Sequence, residues 1–348
     1  MREDLTIPPE PKECALDRFI VGTGRCGSTL LSRMLGCHRA VVSLFEFFNG
    51  IDMTRRFAPE PVTGGEIADL IAAEQPFVTA VLRRGYEVPE IVYPFDEGRH
   101  RRDEPLPWIL VSMLPRLVDD PDALFDELMA RLRSLPAQPP RQHYRALFEW
   151  LAGRLGRSAW VERSGSSIEY LEDLVRLYPE GRFLHLHRDG PETALSMREH
   201  HAYRLPISIL YGAPLDSGET LAELGALDLR APPCDSDPIS RILASRPPAE
   251  YFGRYWCDQV VRGFRGLRGL DRDQYLELRF EELVERPAQL LETIADFFAL
   301  DPDPGFASRG AALVRGRPEE RVPKLPEAER EALRAACRAG SQLLGRAG

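Results

Sequence analysis

The chain has 348 residues, of which 43% are hydrophobic and 28% are charged, and its formal net charge is −9. This composition is typical of a globular protein and excludes a disordered chain, and no apolar run reaches the ~18 residues that a membrane span requires. The acidic balance also excludes a broad basic surface of the kind that binds nucleic acids non-specifically.

Two residue types narrow the chemistry further. Only Lys12 and Lys324 of the 45 basic residues are lysines, so a bound anion must be held mainly by arginine guanidinium groups, backbone N–H groups and hydroxyls. The six cysteines are scattered without a C-x-x-C pair, which argues against a zinc site or a disulfide framework. Together with an N-terminus that lacks an apolar signal segment, they predict reduced thiols, a cytoplasmic location and no metal.

The first half of the chain predicts two strands and then a helical region. Residues 1–17 are polar and proline-rich, and we expect them to form an N-terminal arm ahead of one domain over residues 18–348. Short apolar runs predict buried strands, and leucines at helical spacing predict the helix between them. In chain order the predicted elements are a strand over 18–21, a helix over 28–37, a strand over 41–45 and a mostly helical insertion over 50–157, with a charged surface loop over 97–104.

The second half alternates strands with helices around a further insertion. Residues 204–250 are rich in proline, glycine and aspartate and predict an irregular insertion or lid, within a substrate-side region of about 204–270. The other predicted elements are strands over 159–162, 182–187 and 275–280, and helices over 168–178, 191–201, 287–300 and 326–344, with a loop over 301–324.

Strands that alternate with helices predict the fold class. We expect an α/β protein of three layers, with a mostly parallel central sheet covered by helices on both faces. Ligands of such sheets bind at the carboxyl ends of the strands. The loops in which to look for a site therefore follow Val21, Phe45, Val161, His187 and Phe280.

The densest motif is the loop over residues 22–29 (GTGRCGST), between a predicted strand and a predicted helix. It matches the G-x-G-x-x-G turn of dinucleotide-binding domains, with Glu46 as the acid at the end of the second strand. It also matches a phosphate-binding loop that has Ser28 in place of the lysine that reaches the β- and γ-phosphates. The first N–H groups of the following helix can still bind an anion, and Arg25 supplies a positive charge inside the loop.

A third interpretation of this loop is a thiol phosphatase with Cys26 as the nucleophile, because a cysteine at a helix N-terminus is acidified. The arginine that this chemistry needs is one residue out of place at Arg33, which disfavours it. The second half of the chain separates the other two. Arg188 ends a strand and Ser196 follows eight residues later, a pair that can bind a second phosphate and that a simple nicotinamide fold does not need.

At this point the chain resembles a known family. The segment 22–31 resembles the 5′-phosphosulfate-binding loop of the sulfotransferases that use 3′-phosphoadenosine 5′-phosphosulfate (PAPS), and 188–196 (RDGPETALS) resembles their 3′-phosphate-binding segment. Residues 160–164 (WVERS) are similar to their tryptophan-x-glutamate-lysine-(Ser/Thr) strand end, and 278–287 (LRFEELVERP) to their aromatic-acidic-leucine segment. All four occur in the family's order, and the resemblance is closest to bacterial and carbohydrate-type members.

There are departures from the family's pattern. Cys26 stands where serine is commoner, Arg163 stands in place of the lysine, and Gly165 stands where proline is commoner. The C-terminal Lys-Gly-containing nucleotide loop of the cytosolic aryl sulfotransferases is not recognisable, so the nucleotide contacts of that region stay open.

The resemblance implies a P-loop-NTPase-like sulfotransferase fold and a set of PAPS-binding residues. Arg25 would neutralise the bridging oxygen of the phosphosulfate, Arg188 and Ser196 would hold the 3′-phosphate, and Phe280 would stack on adenine or belong to the core. The cofactor-binding set is Gly24, Arg25, Cys26, Gly27, Ser28, Thr29, Leu30, Arg188, Ser196 and Phe280. No metal is required.

The implied reaction is an in-line transfer of sulfonate to a hydroxyl, less readily an amine, of a carbohydrate, lipid or small molecule. Glu46 is the first candidate for the general base, and the rival bases are His100, His200 and His201. Arg163 is expected to touch the sulfonate or to stabilise the base. A homodimer stays open, and the alternative function is that of an NAD(P)-binding oxidoreductase.

Overall fold

The computed structural model describes residues 16–346, and its centre is a five-stranded sheet with the strand order β2-β3-β1-β4-β5. Every pair of neighbouring strands is parallel. The strands are β1 (Arg18–Val21), β2 (Val41–Phe45), β3 (Ala159–Arg163), β4 (Arg182–His187) and β5 (Tyr275–Arg279). The predicted α/β class with a parallel sheet between helices is confirmed.

The helices connect these strands and cover both faces of the sheet. They are α1 (Ser28–Leu35), α2 (Gly64–Ala72), α3 (Pro76–Arg83), α4 (Trp108–Ser112), α5 (Pro121–Arg133), α6 (Pro140–Arg154), α7 (Leu171–Leu177), α8 (Gly190–Arg198), α9 (His201–Tyr211), α10 (Leu221–Leu224), α11 (Pro238–Ala244), α12 (Ala249–Leu267), α13 (Phe280–Glu285), α14 (Pro287–Phe297), α15 (Phe306–Ala311) and α16 (Glu327–Leu343). Single 3₁₀ turns occupy Phe48–Gly50, Leu114–Arg116, Ser167–Tyr170 and Val322–Lys324.

The strands β1 to β4 are short, mostly apolar runs because both faces of the sheet are buried there, whereas the edge strand β5 is partly exposed. Successive side chains of a strand point to opposite faces, and β1 shows this directly. Phe19 and Val21 belong to the core that the helices α2–α6 cover, whereas Ile20 belongs to the core under α1 and α14. A third core lies between α8, α12 and α16.

Because all neighbouring strands are parallel, their carboxyl ends lie at the same edge of the sheet. Phe45 pairs with Arg163 at the ends of β2 and β3, Val21 pairs with His185, and His187 pairs with Arg279. The strand order speaks against the dinucleotide-binding alternative. In that fold the second strand is the neighbour of the first, whereas here β3 separates β1 from β2.

Several predicted elements need correction. The helix expected to reach residue 37 ends at Leu35, because Gly36 forms its C-cap. Residues 204–250 are not simply irregular, since they contain most of α9 with Pro206 inside it, together with α10 and α11. The region 204–270 also ends in α12, a 19-residue helix whose face of Phe252 and Trp256 is core rather than insertion.

The N-terminal arm predicted over residues 1–17 lies outside the described residues except for its last two. Asp17 is buried and accepts a hydrogen bond from Nε of Arg145 at 3.0 Å, so this end of the predicted arm is tied to α6. Within residues 16–346 no helix has the length and apolarity to cross a bilayer, and no group of three or more His, Cys, Asp or Glu side chains is placed to hold a metal ion.

Candidate active site

The loop over residues 22–29 turns from the end of β1 into α1, and its geometry depends on two glycines. Gly27 has φ 97°, a left-handed conformation that favours glycine, and a Cβ there would lie 2.1 Å from the Phe280 ring. A Cβ on Gly24 would lie 1.6 Å from the hydroxyl oxygen of Tyr203. The loop is therefore pressed between the start of α13 and the start of α9, and the first N–H groups of α1 open toward it.

Cys26 contributes to this loop through packing. Its side chain is fully buried, and burial raises the pKa of its thiol. A buried neutral thiol is a poor nucleophile, so the thiol phosphatase alternative is not supported. A contact between Cys26 and a ligand would come from its backbone.

Arg163 joins the end of β3 to the loop over residues 22–29, which we call the phosphate loop. Its Nη2 donates to Oγ1 of Thr29 at 2.9 Å, its Nη1 donates to a carboxylate oxygen of Glu46, and its guanidinium lies 3.9 Å from the centroid of the Phe45 ring. The side chain is only 2% exposed. The sequence placed Arg163 at the end of the third strand and Thr29 in the loop that follows the first strand, and the sheet brings their side chains together.

Glu46 is held on every side. Its Oε2 accepts hydrogen bonds from the side-chain amide of Asn49 and from the backbone N–H of Gly165 at 3.0 Å. Its backbone carbonyl accepts from the indole of Trp108 at 2.9 Å, and its φ of 58° is stabilised by these contacts. We call Glu46, Asn49, Arg163 and Gly165 the Glu46 cluster. In this cluster the carboxylate already has a cation and two further donors.

Arg25 reaches out of the phosphate loop toward a different carboxylate. Its φ is 63°, and its guanidinium lies 3.4 Å from Oγ of Ser196 through Nε and 3.4 Å from Oε1 of Glu90 through Nη1. The other oxygen of Glu90 lies 2.9 Å from Nε2 of His200. We call Arg25, Glu90 and His200 the Glu90 cluster.

The pKa of Glu90 reflects these two partners. Burial by itself raises the pKa of this carboxyl, but its interactions with His200 and Arg25 lower it to about 2. Glu90 is therefore an ionised carboxylate at neutral pH. The sequence analysis did not single it out, because a glutamate after a proline in a helical insertion carries no motif, and only the tertiary structure brings it to the loop.

The other two histidine candidates lie elsewhere. His100 lies near Glu104 and Asp122, with Nδ1 3.4 Å from Glu104. The ring of His201 packs against Tyr86, with centroids 4.4 Å apart. Of the three, only His200 contacts a group that also contacts the phosphate loop.

Arg188 lines a cavity of about 540 Å³ beside the phosphate loop. Its guanidinium lies 5.1 Å from the centroid of the Phe280 ring, and the described residues offer it no hydrogen bond. Burial and the charge of Arg321 lower its pKa, against the opposing effect of the carboxylates of Glu192, Glu281 and Asp189. Residues from α8, α13 and the C-terminal part of the chain, including Arg317 and Arg346, complete the wall.

The expected pairing of Arg188 with Ser196 is not seen as a contact. Ser196 accepts the hydrogen bond of Arg25, whereas Arg188 faces the cavity that Phe280 also lines.

Phe280 is buried against Gly27 and has a place in the core as well as in the cavity wall. Ser28 is buried at the start of α1 and Leu30 is partly exposed, one turn into the helix.

Among known proteins, the similarities to this chain lie in solved structures. No family model matches the chain, and no curated protein matches it. Solved structures do match. The chain resembles sulfotransferases over nearly its whole length.

Three of these structures show the extent of the likeness. The sulfotransferase domain of the curacin biosynthetic pathway is 15% identical, with a TM-score of 0.49 over 95% of this chain and 98% of that one. The sulfotransferase domain of the Synechococcus PCC 7002 olefin synthase is 17% identical, with a TM-score of 0.48 over 97% and 96%. Sulfotransferase STF9 of Mycobacterium avium is 16% identical, with a TM-score of 0.45 over 96% and 78%. With every TM-score below 0.5, the activity has to be argued from the residues of the site.

Proposed function

We propose that this protein is a PAPS-dependent sulfotransferase. The observation that carries the proposal is the cationic surrounding of the lysine-free phosphate loop. Arg25 extends from the loop itself, Arg163 donates to Thr29 of the loop, and Arg188 lines the adjacent cavity. A nucleotide with a phosphosulfate at one end and a 3′-phosphate at the other matches this distribution of charge.

Sulfonate transfer requires the protein mainly to position the two reactants and to stabilise the negative charge that develops on the leaving group. Sulfonate transfer is an in-line displacement at sulfur, in which the leaving group is a phosphate oxygen of adenosine 3′,5′-bisphosphate. We assign Arg25 to the bridging oxygen, where negative charge develops, and the N–H groups of Gly27, Ser28 and Thr29 to the 5′-phosphate. Gly24, Cys26 and Leu30 are assigned backbone contacts at the same loop.

The 3′-phosphate is assigned to Arg188, whose forked guanidinium suits a phosphate. Phe280 supplies an apolar surface beside it that an adenine ring could cover. Ser196 lies against Arg25 and would contact the nucleotide on the loop side. Arg163, fixed between Glu46 and Thr29, would orient the loop and face the transferred sulfonate.

The acceptor is proposed to be a hydroxyl of a carbohydrate, lipid or small molecule. Its proton needs a base, and the two candidates at the loop are Glu46 and His200. The NAD(P)-binding alternative has no observation in its favour, since β3 separates the loop-bearing strand from the strand that ends at Glu46.

Ligand binding tests the proposal directly. Isothermal titration and thermal shift should show that adenosine 3′,5′-bisphosphate binds and stabilises the protein, whereas NAD and NADP do not. Stabilisation by NAD or NADP alone would refute the proposal. Incubation of the protein with PAPS and a metabolite extract should then yield, by mass spectrometry, at least one compound that has gained a sulfonate.

Replacing Arg188 tests the 3′-phosphate assignment. Arg188→Ala removes the charge-assisted hydrogen bonds to that phosphate, and we expect the affinity for adenosine 3′,5′-bisphosphate to fall about 10- to 100-fold, while the affinity for adenosine 5′-monophosphate stays the same. The matched control is Arg262→Ala, at an exposed position of α12. Equal affinity of Arg188→Ala and wild type for the bisphosphate would show the assignment to be wrong.

A further inference from the structure

Glu90 has no place in the motifs, yet among residues 16–346 it is the one carboxylate that contacts both the phosphate loop and a candidate base. Its two oxygens are divided between Arg25 and His200, at 3.4 Å and 2.9 Å. Its backbone carbonyl accepts from Arg116 at 3.2 Å, which fixes the segment between α3 and α4 beside the site. The side chain is 17% exposed, so the cluster lies at the mouth of the loop rather than under it.

The ionised state of Glu90 fixes the tautomer of His200. An ionised carboxylate can only accept hydrogen bonds, so Nε2 of a neutral His200 must carry the proton that lies between them. The lone pair of the imidazole is then on Nδ1. This nitrogen is buried and has no hydrogen-bond partner within residues 16–346.

A buried imidazole nitrogen without a partner has a cost that a substrate group can offset. His200 is the N-cap residue of α9, and the ring of Tyr203 from the same helix packs edge-on against it, with centroids 5.3 Å apart. Tyr203 also touches Gly24 of the phosphate loop, so the start of α9 holds the imidazole against this loop.

Glu46 has less capacity to accept a further hydrogen bond. Its two oxygens offer about four acceptor sites, and three are filled, by Arg163 at one oxygen and by Asn49 and Gly165 at the other. A base must have a free lone pair within hydrogen-bond reach of the acceptor hydroxyl. Taking that proton would also cost Glu46 its ion pair with Arg163, which is almost fully buried.

We propose that His200 is the general base of the reaction and that Glu90 is a positioning residue that orients both His200 and Arg25. This proposal rests on the sulfotransferase function. An oxygen lone pair of the acceptor forms the new O–S bond while the S–O bond to the phosphate breaks, and that electron pair leaves on adenosine 3′,5′-bisphosphate. The acceptor proton goes to Nδ1 of His200, and the imidazolium keeps its Nε2–H against Glu90.

Binding and turnover should respond in opposite ways when Glu90 loses its charge. In Glu90→Gln the anion that competes for Arg25 is gone, so we expect the affinity for adenosine 3′,5′-bisphosphate to rise about threefold. Turnover should fall on the order of 10²-fold, because the imidazolium formed when His200 takes the proton loses the carboxylate charge that stabilises it. Turnover is the initial rate of adenosine 3′,5′-bisphosphate formation from PAPS in the metabolite extract, and Glu90→Asp should recover part of it.

The base itself is tested by His200→Asn, which keeps a favourable N-cap residue for α9. We expect affinity for adenosine 3′,5′-bisphosphate to stay within about threefold of wild type and turnover to fall about 10²-fold or more. The rise of turnover with pH that a histidine base produces should disappear. The other charged or titratable groups around the pair are Arg25, Arg116, His201 and Tyr203.

A control separates this role from a structural one. Glu87→Gln, at an exposed glutamate of the same segment, should behave as wild type. The proposal is overturned if Glu90→Gln binds the bisphosphate no more tightly than wild type, if His200→Asn keeps its turnover and pH profile, or if Glu46→Gln abolishes the pH dependence instead. A wild-type protein that binds no adenosine 3′,5′-bisphosphate would refute the sulfotransferase function itself. Circular dichroism confirms that each variant folds.

Discussion

The Glu46 cluster and the Glu90 cluster each pair a glutamate with an arginine beside the same phosphate loop, but they differ in burial and in spare hydrogen-bonding capacity. Arg163 and Glu46 are 2% and 6% exposed, and every carboxylate oxygen of Glu46 has a donor. Arg25 and Glu90 are 30% and 17% exposed, with the arginine at a longer distance of 3.4 Å. The first arrangement is a rigid support, and the second can exchange a partner for a ligand.

The pKa values of Glu162 and Glu90 differ because, of these two carboxyl groups, Glu90 has close contacts with both a histidine and an arginine. Glu162, directly before Arg163, is fully buried, and burial raises its pKa to about 8. Its contacts are local, since Oε1 accepts from the hydroxyl of Ser164 at 2.6 Å and Oε2 has no partner in the described part of the chain. The pKa of Glu90 is held at about 2 by its hydrogen bond with His200 and by the charge of Arg25. What determines whether a carboxyl is charged here is the presence of a cation, not burial alone.

The largest effect should come from the exchangeable cluster. Arg25→Ala removes the cation assigned to the bridging oxygen, and we expect turnover of PAPS to fall by about 10³-fold, as when a preorganised donor at a developing charge is lost. The stability of the protein should change little, because Arg25 is partly exposed. The control is Arg33→Ala, on the exposed side of α1. If turnover of Arg25→Ala fell by less than tenfold, the proposal that the Glu90 cluster takes part in the reaction while the Glu46 cluster is a support would be wrong.

The rigid cluster should respond in stability. Arg163→Ala leaves Glu46 buried without its cation, and we expect the free energy of unfolding in urea to fall by about 3 kcal/mol. The comparison variant is Arg154→Ala, which breaks an exposed pair with Glu127 and should cost less than about 1 kcal/mol. Equal losses in the two variants would mean that the Glu46 cluster is not a structural support.

The third effect concerns the protonation of Glu162. A pKa raised in the folded state means that the folded protein binds more protons than the unfolded one between about pH 4.5 and pH 8, so stability falls as the pH rises through this range. Glu162→Gln removes that dependence. We expect the variant to gain about 3 kcal/mol relative to wild type between pH 5 and pH 8. The measurement is urea unfolding at both pH values, and Glu172→Gln, at an exposed position, should show no gain.

The sheet could be predicted from the sequence because its strands are short apolar runs between turn residues. Arg18–Val21, Val41–Phe45 and Arg182–His187 are observed with the predicted bounds. The helix over residues 249–267 was not predicted. It was included in an insertion, although its buried residues lie on one face.

The candidate site was predictable where a motif lies within one segment. The phosphate loop and Arg163 lie at strand ends, and a parallel sheet brings all strand ends to one edge. Glu90 could not be found in this way, because it is 65 residues from Arg25 and 110 from His200 along the chain. The sequence also placed Ser196 with Arg188, whereas its hydroxyl contacts Arg25.

The sequence by itself determined the chemistry available to this protein. It contains almost no lysine, so arginines stand at the phosphate loop and after the third strand, and an overall charge of −9 leaves anion binding to a small pocket. Only the tertiary structure decided which carboxylate each arginine meets. That outcome depends on strand order and on how the helices after β2 and β4 pack, because these contacts join segments that no local pattern relates.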